Sequence, residues 1–509
     1  MYSRKISRKL TNSESSSPRS SQNKKCNISR NNRDNLSESD SDSESCSDEY
    51  FDSDESLSED DEREVSQGIV GEIYQNKYII LKYLGKGTFS RVWMVYDVTT
   101  KNFYAMKVVY SKYSEDAEHE IEMYKNLGNK YKNVTRYIDS FYIKDEMCII
   151  MELMGICLID LFKYYTNSDN NDIINNKKWY DTDDSTQLIP IPIVKKIFRD
   201  LFSGLNELHS KGIVHTDLKP ENIMINIYPE KLIKIKNWFL NSSIINLYEN
   251  QLTDIIPKNI ETLDNQKRKV IRKKCRIRAL NLISEKVREV VTKYHENIYN
   301  EKLKLAENII EIDDVSDIEV DEVNKDELFT MPDIIDIQAK IIDLGNAELL
   351  DDIEPDVIQL RCYRPPENVL HDFYNTKADI WTMGCILFET LTGDFLFDID
   401  HETFNDSLDR DKELLVQMYN IIGEISRDDI DRSIYKNDLF DQGSNRLLDV
   451  ASDRFNKKSF RELLSETPSE LNENELTEVL DLFDNIFTYD LTKRHSADEI
   501  LDHKWLLIN

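Results

Sequence analysis

Two short polar motifs in the second half of the chain constrain its fold more than any other feature. Residues 215–222 read His-Thr-Asp-Leu-Lys-Pro-Glu-Asn, and residues 343–345 read Asp-Leu-Gly. Together they supply the groups that phosphoryl transfer requires: a carboxylate to orient a hydroxyl, an amide and a second carboxylate for Mg²⁺, and a lysine beside the moving phosphoryl group. A fold that uses this set must bring two stretches together although Asp343 lies 121 positions after Asn222 in the sequence.

The order of these groups matches the catalytic loop and the magnesium loop of protein kinases, and the chain resembles that family. The resemblance implies that Asp217 orients the substrate hydroxyl and that Lys219 neutralises charge on the transferred phosphoryl group. It also implies that Asn222 and Asp343 bind Mg²⁺. A lysine two residues after the aspartate is the pattern of serine/threonine kinases. Kinases usually join that Asn to that Asp through a short β-hairpin, so a long spacer interrupts the hairpin here.

The β-rich sequence before these motifs contains a candidate ATP site. Residues 85–92, Gly-Lys-Gly-Thr-Phe-Ser-Arg-Val, resemble the glycine-rich loop of kinases, with Ser90 in place of its last glycine. Lys107 lies on the next predicted strand, where kinases keep the lysine that holds two phosphates, and Glu120 on a predicted helix is its expected partner. Met151 is the expected gatekeeper beside the adenine. The predicted nucleotide contacts are Leu84, Gly85, Gly87, Ser90, Val92, Lys107, Glu152 and Met154, the last two through their backbones.

The resemblance implies an α+β fold with two lobes, a small β-rich N-lobe and a larger helical C-lobe. Residues 1–68 are rich in Ser, Asp, Glu, Lys and Arg, which bury too little apolar surface to offset their ordering entropy, and we predict a disordered tail. We also expect the spacer to be disordered. The predicted segments are the tail 1–68, the N-lobe 69–155, the first part of the C-lobe 156–228, the spacer 229–337 and the second part of the C-lobe 338–509.

A basic cluster lies at the centre of the spacer. Eight of the twelve residues 267–278 are Lys or Arg, whereas the spacer ends in an acidic stretch from Glu307 to Glu327. The cluster has three readings: an import or nucleic-acid patch, a contact to the acidic tail or spacer end, or a solvated run of charges. Apolar residues interrupt it, so part of it is expected to form an amphipathic helix: Val270, Ile271, Ile277, Leu280 and Leu282.

The composition restricts the class of partners. The formal net charge of −31 argues against nucleic acid as the main partner and favours basic proteins. The seven cysteines form no Cys-x-x-Cys pair, which is typical of a reduced intracellular protein. No stretch is long and apolar enough to span a membrane. We therefore expect a monomeric intracellular protein, cytoplasmic or nuclear, that uses ATP and Mg²⁺ and does not contact a membrane.

The activation segment lacks the usual signals for control by phosphorylation. Thr216 stands where many kinases have the arginine that binds a phosphate on this segment. Between Gly345 and Glu367 there is no Ser or Thr, and Tyr363 has the only side-chain hydroxyl. We expect an enzyme that needs no phosphate there. Glu367 is expected to pair with Arg494, and Asp379 to bind the catalytic-loop backbone.

Within the kinases, the chain resembles the SR-protein kinase family, which phosphorylates arginine-serine-rich proteins. The likeness lies in the stretches beginning at Gly71, His215, Lys340 and Ala378, and in the long charged spacer. It implies basic, Arg/Ser-rich substrates. The segment before Glu367 departs from that family, as do Lys86 and Thr88 in the glycine-rich loop. A composition rich in Asn, Ile, Asp and Lys suggests an AT-rich genome, such as that of a protist or a large DNA virus.

An acidic stretch supports a basic substrate independently of the resemblance. Residues 394–413 carry eight Asp or Glu residues against Arg410 and Lys412, and carboxylates pair well with arginine. The other reading is a solvated acidic loop. Two further alternatives are a serine/threonine kinase of other specificity and a pseudokinase scaffold, although the complete set of motif residues argues against the scaffold.

Overall fold

The computed structural model describes residues 69–166, 188–310, 331–353, 357–370, 372–399, 407–441, 443–465 and 471–507. The tail that we expect to be disordered, residues 1–68, lies outside the described residues.

The N-terminal part is a six-stranded antiparallel sheet with one helix packed on it. The strand order is β1-β2-β3-β4-β6-β5, and strand β2 includes Ile79, Ile80 and Leu81, which are all buried, as expected for a chain rich in β-branched and aromatic residues. Helix α1 ends at Gly128, whose φ of 89° only glycine adopts easily. The elements are β1 (Ile73–Tyr74), β2 (Tyr78–Gly87), β3 (Ser90–Asp97), β4 (Asn102–Val109), α1 (Ser114–Leu127), β5 (Tyr137–Ile143) and β6 (Glu146–Glu152).

The C-terminal part is mainly helical and carries two small sheets next to the N-lobe. Its helix α8 is buried on every side, while helix α3 shows the amphipathic spacing seen in its sequence. The elements are β7 (Ile156–Cys157), α2 (Leu158–Thr166), α3 (Ile191–His209), β8 (Ile213–Val214), β9 (Ile223–Ile225), β10 (Ala339–Ile341), β11 (Glu348–Leu349), α7 (Pro366–Val369), α8 (Lys377–Thr392), α9 (Ser407–Ile421), α10 (Arg427–Arg432), α11 (Lys436–Leu439), α12 (Phe460–Ser465), α13 (Glu473–Ile486) and α14 (Ala497–Leu501).

The interrupted hairpin is intact. Strands β9 and β10 pair antiparallel, with Ile223 opposite Ile341 and Ile225 opposite Ala339. One further bond, from the Ile342 N–H to the Asn222 carbonyl at 3.0 Å, continues the ladder to the residue before Asp343. The chain therefore leaves the sheet after β9, forms the spacer, and returns in register. The two-lobed α+β kinase fold expected from the sequence is confirmed.

The spacer contains three helices and differs from the expected disorder over its described length. They are α4 (Glu230–Leu240), α5 (Ser243–Ile255) and α6 (Asn265–Ile310). Phe239 of α4 contacts the rings of Tyr96 and Phe103 of the sheet, at 4.8 and 6.2 Å between centroids. Each fully buried apolar side chain contributes about 1.5–3 kcal/mol, so the burial of several of them offsets part of the ordering entropy of the spacer. Residues 311–330, including most of the acidic spacer end, lie outside the described residues.

The buried face of helix α6 is marked in the sequence by a regular row of small and branched residues. The apolar residues that interrupt the basic cluster do not mark that face. Buried residues recur every fourth position from Cys275, and those that belong to the N-lobe core are Ala279, Ile283, Val287 and Val291. By contrast, Val270 and Leu282 are 54% and 61% exposed. The helix is amphipathic, as expected. Only some of the apolar residues that interrupt the basic cluster lie on its buried face. No helix in the described ranges is long and apolar enough to cross a membrane.

Candidate active site

The glycine-rich loop is the hairpin between β2 and β3. Gly85 pairs with Val92 and Gly87 with Ser90, and Phe89 lies at the tip with half of its surface exposed. Neither glycine has a positive φ. A Cβ at Gly85 would contact nothing within 4 Å, and one at Gly87 would contact only the Ser90 hydroxyl at 3.8 Å. The backbone of this hairpin therefore borders open space.

Three charged side chains from three different elements meet below this loop. The Lys107 ammonium on β4 lies 2.9 Å from Glu120 Oε2 on α1 and 2.9 Å from Asp343 Oδ1. Val92 pairs with Lys107 across β3 and β4, so the strand ladder fixes the lysine next to the glycine-rich loop. Leu84 is partly buried against the N-lobe core.

Lys107 and Asp343 stabilise each other's charged form. Burial disfavours the Lys107 ammonium, but the carboxylates of Asp343 and Glu120 outweigh burial and raise the pKa of the lysine. Burial also raises the pKa of Asp343, and Lys107 more than offsets it, so the pKa of that carboxyl is lower than usual. Asp343 has a φ of 63°, an uncommon conformation for a non-glycine residue and one often seen at functional sites.

A buried aspartate holds the catalytic loop in shape. Asp379, at the start of α8, accepts bonds from the backbone N–H groups of His215 and Thr216 at 2.8 and 3.2 Å. It also contacts His209 Nε2 at 2.8 Å. The His215 ring is within 2.9 Å of the Ile342 carbonyl, immediately before Asp343. These bonds join the two motifs through backbone groups, which explains how a long spacer leaves their geometry unchanged.

The side chains of the catalytic loop converge on Asp217. Lys219 Nζ lies 3.5 Å from Asp217 Oδ2, and Asn222 Nδ2 donates to the Asp217 carbonyl at 2.8 Å. Asn346 Nδ2 lies 3.3 Å from the same Oδ2, and the Thr216 hydroxyl donates to the Asn346 carbonyl at 2.5 Å. Because the Asn222 amide nitrogen is used inside the loop, its oxygen is left for a ligand.

The segment after β6 forms the border expected for an adenine site. Gly155 is required there, because a Cβ would lie 1.8 Å from the Ile227 carbonyl oxygen. Its N–H donates to the Ile225 carbonyl, and the Glu152 N–H to the Arg136 carbonyl. Within the described ranges, the Met154 N–H has no backbone acceptor. Met151 lies at the end of β6 and is buried.

The activation segment is held by internal partners. Arg361 pairs with Asp411 of α9, and the Arg364 guanidinium donates to the Ile358 and Gln359 carbonyls at 3.1 and 3.0 Å. The Gln359 N–H donates to the Thr216 carbonyl at 3.0 Å. The segment is thus fastened to the catalytic loop at the position where other kinases use a phosphate-binding arginine.

The end of the segment contains a buried ion pair and a buried tyrosine. Glu367 makes two bonds to Arg494, at 2.7 and 2.9 Å, as the sequence predicts. The Arg494 guanidinium also lies 5.0 Å from the Trp381 ring centroid. The Tyr363 hydroxyl donates to Glu389 at 2.6 Å, and both residues are buried.

The structure brings Lys107, Glu120 and Asp343 into contact, joins Asp217 to Asn222, and adds three residues that the sequence analysis missed. Asn346 contacts Asp217. His119, next to Glu120, lies 2.7 Å from the Ala347 carbonyl and ties α1 to the magnesium loop. Lys340 pairs with the Glu152 side chain at 2.6 Å. Each lies within three residues of a motif residue, so proximity to the motifs was the available signal.

Comparison with known proteins agrees with this geometry. The protein kinase domain family matches residues 78–253 and 326–506, more than half of the chain. The chain is 27% identical over 527 residues to "Putative serine/threonine-protein kinase L205" of Acanthamoeba polyphaga mimivirus, covering 90% of this chain and 92% of that protein. It is 27% identical over 396 residues to "Serine/threonine-protein kinase SRPK" of Physarum polycephalum, covering 74% of each.

A solved structure, the kinase domain of PF14_0431, has the same fold, with a TM-score of 0.54 at 20% identity over 86% of this chain and 97% of that one. The chain belongs to the protein kinase family and is a serine/threonine protein kinase similar to SR-protein kinases.

Proposed function

We propose that this kinase transfers the γ-phosphate of ATP to serine in basic, Arg/Ser-rich proteins and needs no phosphate on its activation segment. The observation that supports the transfer reaction is the pairing of Lys107 with Asp343 and of Asn222 with Asp217. The bond from the Ile342 N–H to the Asn222 carbonyl holds the two pairs next to each other. Lys107 binds the α- and β-phosphates, the glycine-rich loop covers them, and the Met154 N–H and the Glu152 carbonyl bond the adenine.

The residues present suit a magnesium ion. Asp343 offers a carboxylate and Asn222 an amide oxygen, which are hard ligands of the kind that Mg²⁺ prefers alongside phosphate and water. The Asn222 nitrogen is bonded to the Asp217 carbonyl, so the amide orientation directs its oxygen outward. When bound, Mg²⁺ neutralises charge on the phosphates.

Asp217 orients the serine hydroxyl and accepts its proton as the oxygen attacks the γ-phosphorus. Lys219 is near enough to stabilise charge on the phosphoryl oxygens in the transition state. Asn346 holds the Asp217 carboxylate in position. An Asp217→Asn variant keeps these contacts but loses the base. We expect it to bind ATP as the wild type does and to transfer phosphate about 10²–10⁴-fold more slowly. Unchanged turnover would contradict the assignment.

Independence from phosphorylation is supported by the internal partners of the activation segment. Arg361 is buried and paired with Asp411, and the only side-chain hydroxyl from Gly345 to Glu367 belongs to Tyr363, which is itself buried and bonded. Protein made in bacteria should be fully active, and phosphatase treatment should not change its rate. A rate that rises only after incubation with an upstream kinase would overturn this part of the proposal.

The substrate preference is supported by the family resemblance and by acidic residues of the stretch 394–413. Within it Asp398 is exposed, and Asp411 and Glu413 pair with Arg361 and Arg454. Asp400 and Asp406 lie outside the described residues.

The test replaces Asp398, Asp400 and Asp406 by Asn. We expect KM to rise strongly for an Arg-Ser peptide and little for a neutral serine peptide, because only the first loses ion pairs. Parallel acidic and Ser-Pro peptides identify any other specificity. Equal changes of KM for the Arg-Ser and neutral peptides would refute the docking role while leaving the phosphoryl transfer assignment intact.

A matched control neutralises three exposed acids outside this stretch. Glu473→Gln, Asp498→Asn and Asp502→Asn change the net charge equally. This variant should keep the wild-type KM for both peptides. A similar rise of KM in the control would mean that overall charge, and not a docking site, attracts the basic peptide.

A further inference from the structure

Helix α6 is anchored by one face and carries cations on the opposite one. Ala279 is buried in the N-lobe core, and Cys275 is buried with its thiol 3.8 Å from the Ile255 carbonyl of α5. On the other side Lys269 and Lys273 form one row and Lys274 and Arg278 another, since residues four apart are neighbours on a helix surface. All four side chains are exposed. We call these four residues the basic face.

The other cations of the cluster are partly neutralised locally. Arg268 and Arg272 both pair with Glu261, at 3.2 and 2.7 Å. Among the described residues, no ion pair reaches the basic face. The basic face therefore holds four positive charges with no partner from the folded part of the chain that the structure describes.

The N-terminal end of the described chain lies against the same helix. Glu72 pairs with Arg288 of α6 at 3.1 Å, and a Cβ at Gly71 would lie 2.6 Å from the Arg288 Cα. Val70 is buried in the core shared by α6 and the sheet. The residues that precede this contact are strongly acidic: ten of the seventeen residues 48–64 are Asp or Glu, and Arg63 is the only cation.

We propose that residues 48–64, which we call the acidic segment, dock on the basic face and extend the contact already made by Glu72 and Arg288. This is an intramolecular partner surface rather than part of the phosphoryl transfer site. The acidic segment and the basic face have opposite charges. The acidic segment is also tethered next to the basic face, which gives it an effective concentration in the millimolar range.

The chain length suffices for this docking. Arg278 and Lys269 lie about 15 and 28 Å along the helix from Arg288, at 1.5 Å per residue. An extended chain spans about 3.3 Å per residue, so residues 65–68 cover about 13 Å and the acidic segment up to about 56 Å. Even a segment that is far from fully extended passes the whole basic face.

Phosphorylation would strengthen the contact. Ser53, Ser56 and Ser58 lie among Asp and Glu residues, the setting that acid-directed kinases prefer. Each phosphate adds about −1.5 to −2 charges near neutral pH. The docking of the acidic segment is therefore expected to persist to higher salt after these serines are phosphorylated.

Zero-length carbodiimide cross-linking of the full chain tests the proposal, because it joins carboxylates to lysines only where they touch. At about 0.05 M salt, mass spectrometry should find links from residues 48–64 to Lys269, Lys273 and Lys274. At about 1 M salt the screening length is about 3 Å and the links should disappear. Links spread evenly over all exposed lysines, or made from residues 311–327 instead, would overturn the proposal.

Charge reversal supplies the control. In Lys274→Glu with Arg278→Glu, the links to Lys269 and Lys273 should fall severalfold at an unchanged thermal midpoint, since both substituted side chains are exposed. The matched variant Lys457→Glu with Lys504→Glu should keep them. Salt-dependent binding of RNA by the full chain, with no link from the acidic segment, would assign the basic face to nucleic acid and refute the proposal.

Discussion

Two ion-pair clusters of this kinase use the same chemistry and differ in their access to solvent. The Lys107 cluster includes Asp343, whose side chain is 40% exposed, whereas Arg494 and Glu367 are 0% and 6% exposed. The first cluster can exchange a protein partner for a phosphate or a metal ion. The second cannot reach any ligand, so its bonds serve the architecture alone. Exposure, rather than charge, separates a reaction centre from a structural anchor.

The largest expected effect is the loss of unfolding free energy when the ion pair between Arg494 and Glu367 is broken. Arg494→Leu leaves the Glu367 carboxylate buried without a cation, and such a loss costs about 3–5 kcal/mol of unfolding free energy. Denaturant unfolding measures it. The double variant Arg494→Leu with Glu367→Leu has no buried charge and should recover part of the loss. A double variant less stable than the single one would show that packing, and not charge, dominates there.

The second prediction removes the lysine from the reaction centre. Lys107→Met should lower kcat/KM about 10²–10³-fold, the usual cost of one electrostatic contact in a transition state. Its unfolding free energy should also fall, because the buried Glu120 carboxylate loses its cation, but by less than that of Arg494→Leu, because Asp343 reaches solvent. Steady-state kinetics measure kcat/KM, and denaturant unfolding of the same preparations measures the unfolding free energy. A stability loss as large as that of Arg494→Leu would abolish the distinction between the clusters.

A third ion pair lies between these extremes. Lys340 is buried and pairs with Glu152 beside the proposed adenine site, while Arg136 contacts the same carboxylate from a position that is 58% exposed. Lys340→Met should raise KM for ATP severalfold, about 1 kcal/mol, the usual net contribution of one hydrogen bond. Arg136→Met is the matched control and should change KM little, because exposed pairs contribute little. Equal increases of KM for ATP in the two variants would contradict the idea that burial makes the Lys340 pair the stronger one.

The sequence predicted the reaction centre far better than it predicted the spacer. Asp217, Asn222 and Asp343 belong to short motifs in which identity and spacing carry the chemistry, so no knowledge of packing was needed. Helix α6 has no such motif. Its mean composition is basic and polar, and only the fourfold spacing from Ala279 to Val291 shows the face that the sheet buries. That face is recognisable only once the surface it covers is known.

The smallest expected effect concerns the attachment of α6 to the sheet. His295 Nε2 lies 2.7 Å from the Leu81 carbonyl of β2, and since a carbonyl only accepts, the nitrogen carries the hydrogen. Burial lowers the pKa of His295 and neighbouring Lys82 lowers it further, although the bond to Leu81 opposes both.

A lowered pKa means that the unfolded state binds the proton more tightly than the folded state. The neutral His295 ring therefore contributes its full stabilisation of the folded state above the ordinary pKa of 6.5. That stabilisation declines as the pH falls below 6.5 toward the lower pKa of the folded state. The slope is at most about 1.4 kcal/mol per pH unit for one proton. Amide hydrogen exchange of α6 should thus accelerate, relative to that of α8, as the pH falls from about 7 to 5.

His295→Gln keeps a donor without a titratable ring and should remove that dependence. His503→Gln alters a histidine of the C-lobe whose pKa burial also lowers, and it should leave α6 unaffected. If α6 loosened at low pH in all three proteins alike, its attachment would depend on carboxylates, among them Glu72 beside Arg288, rather than on the imidazole.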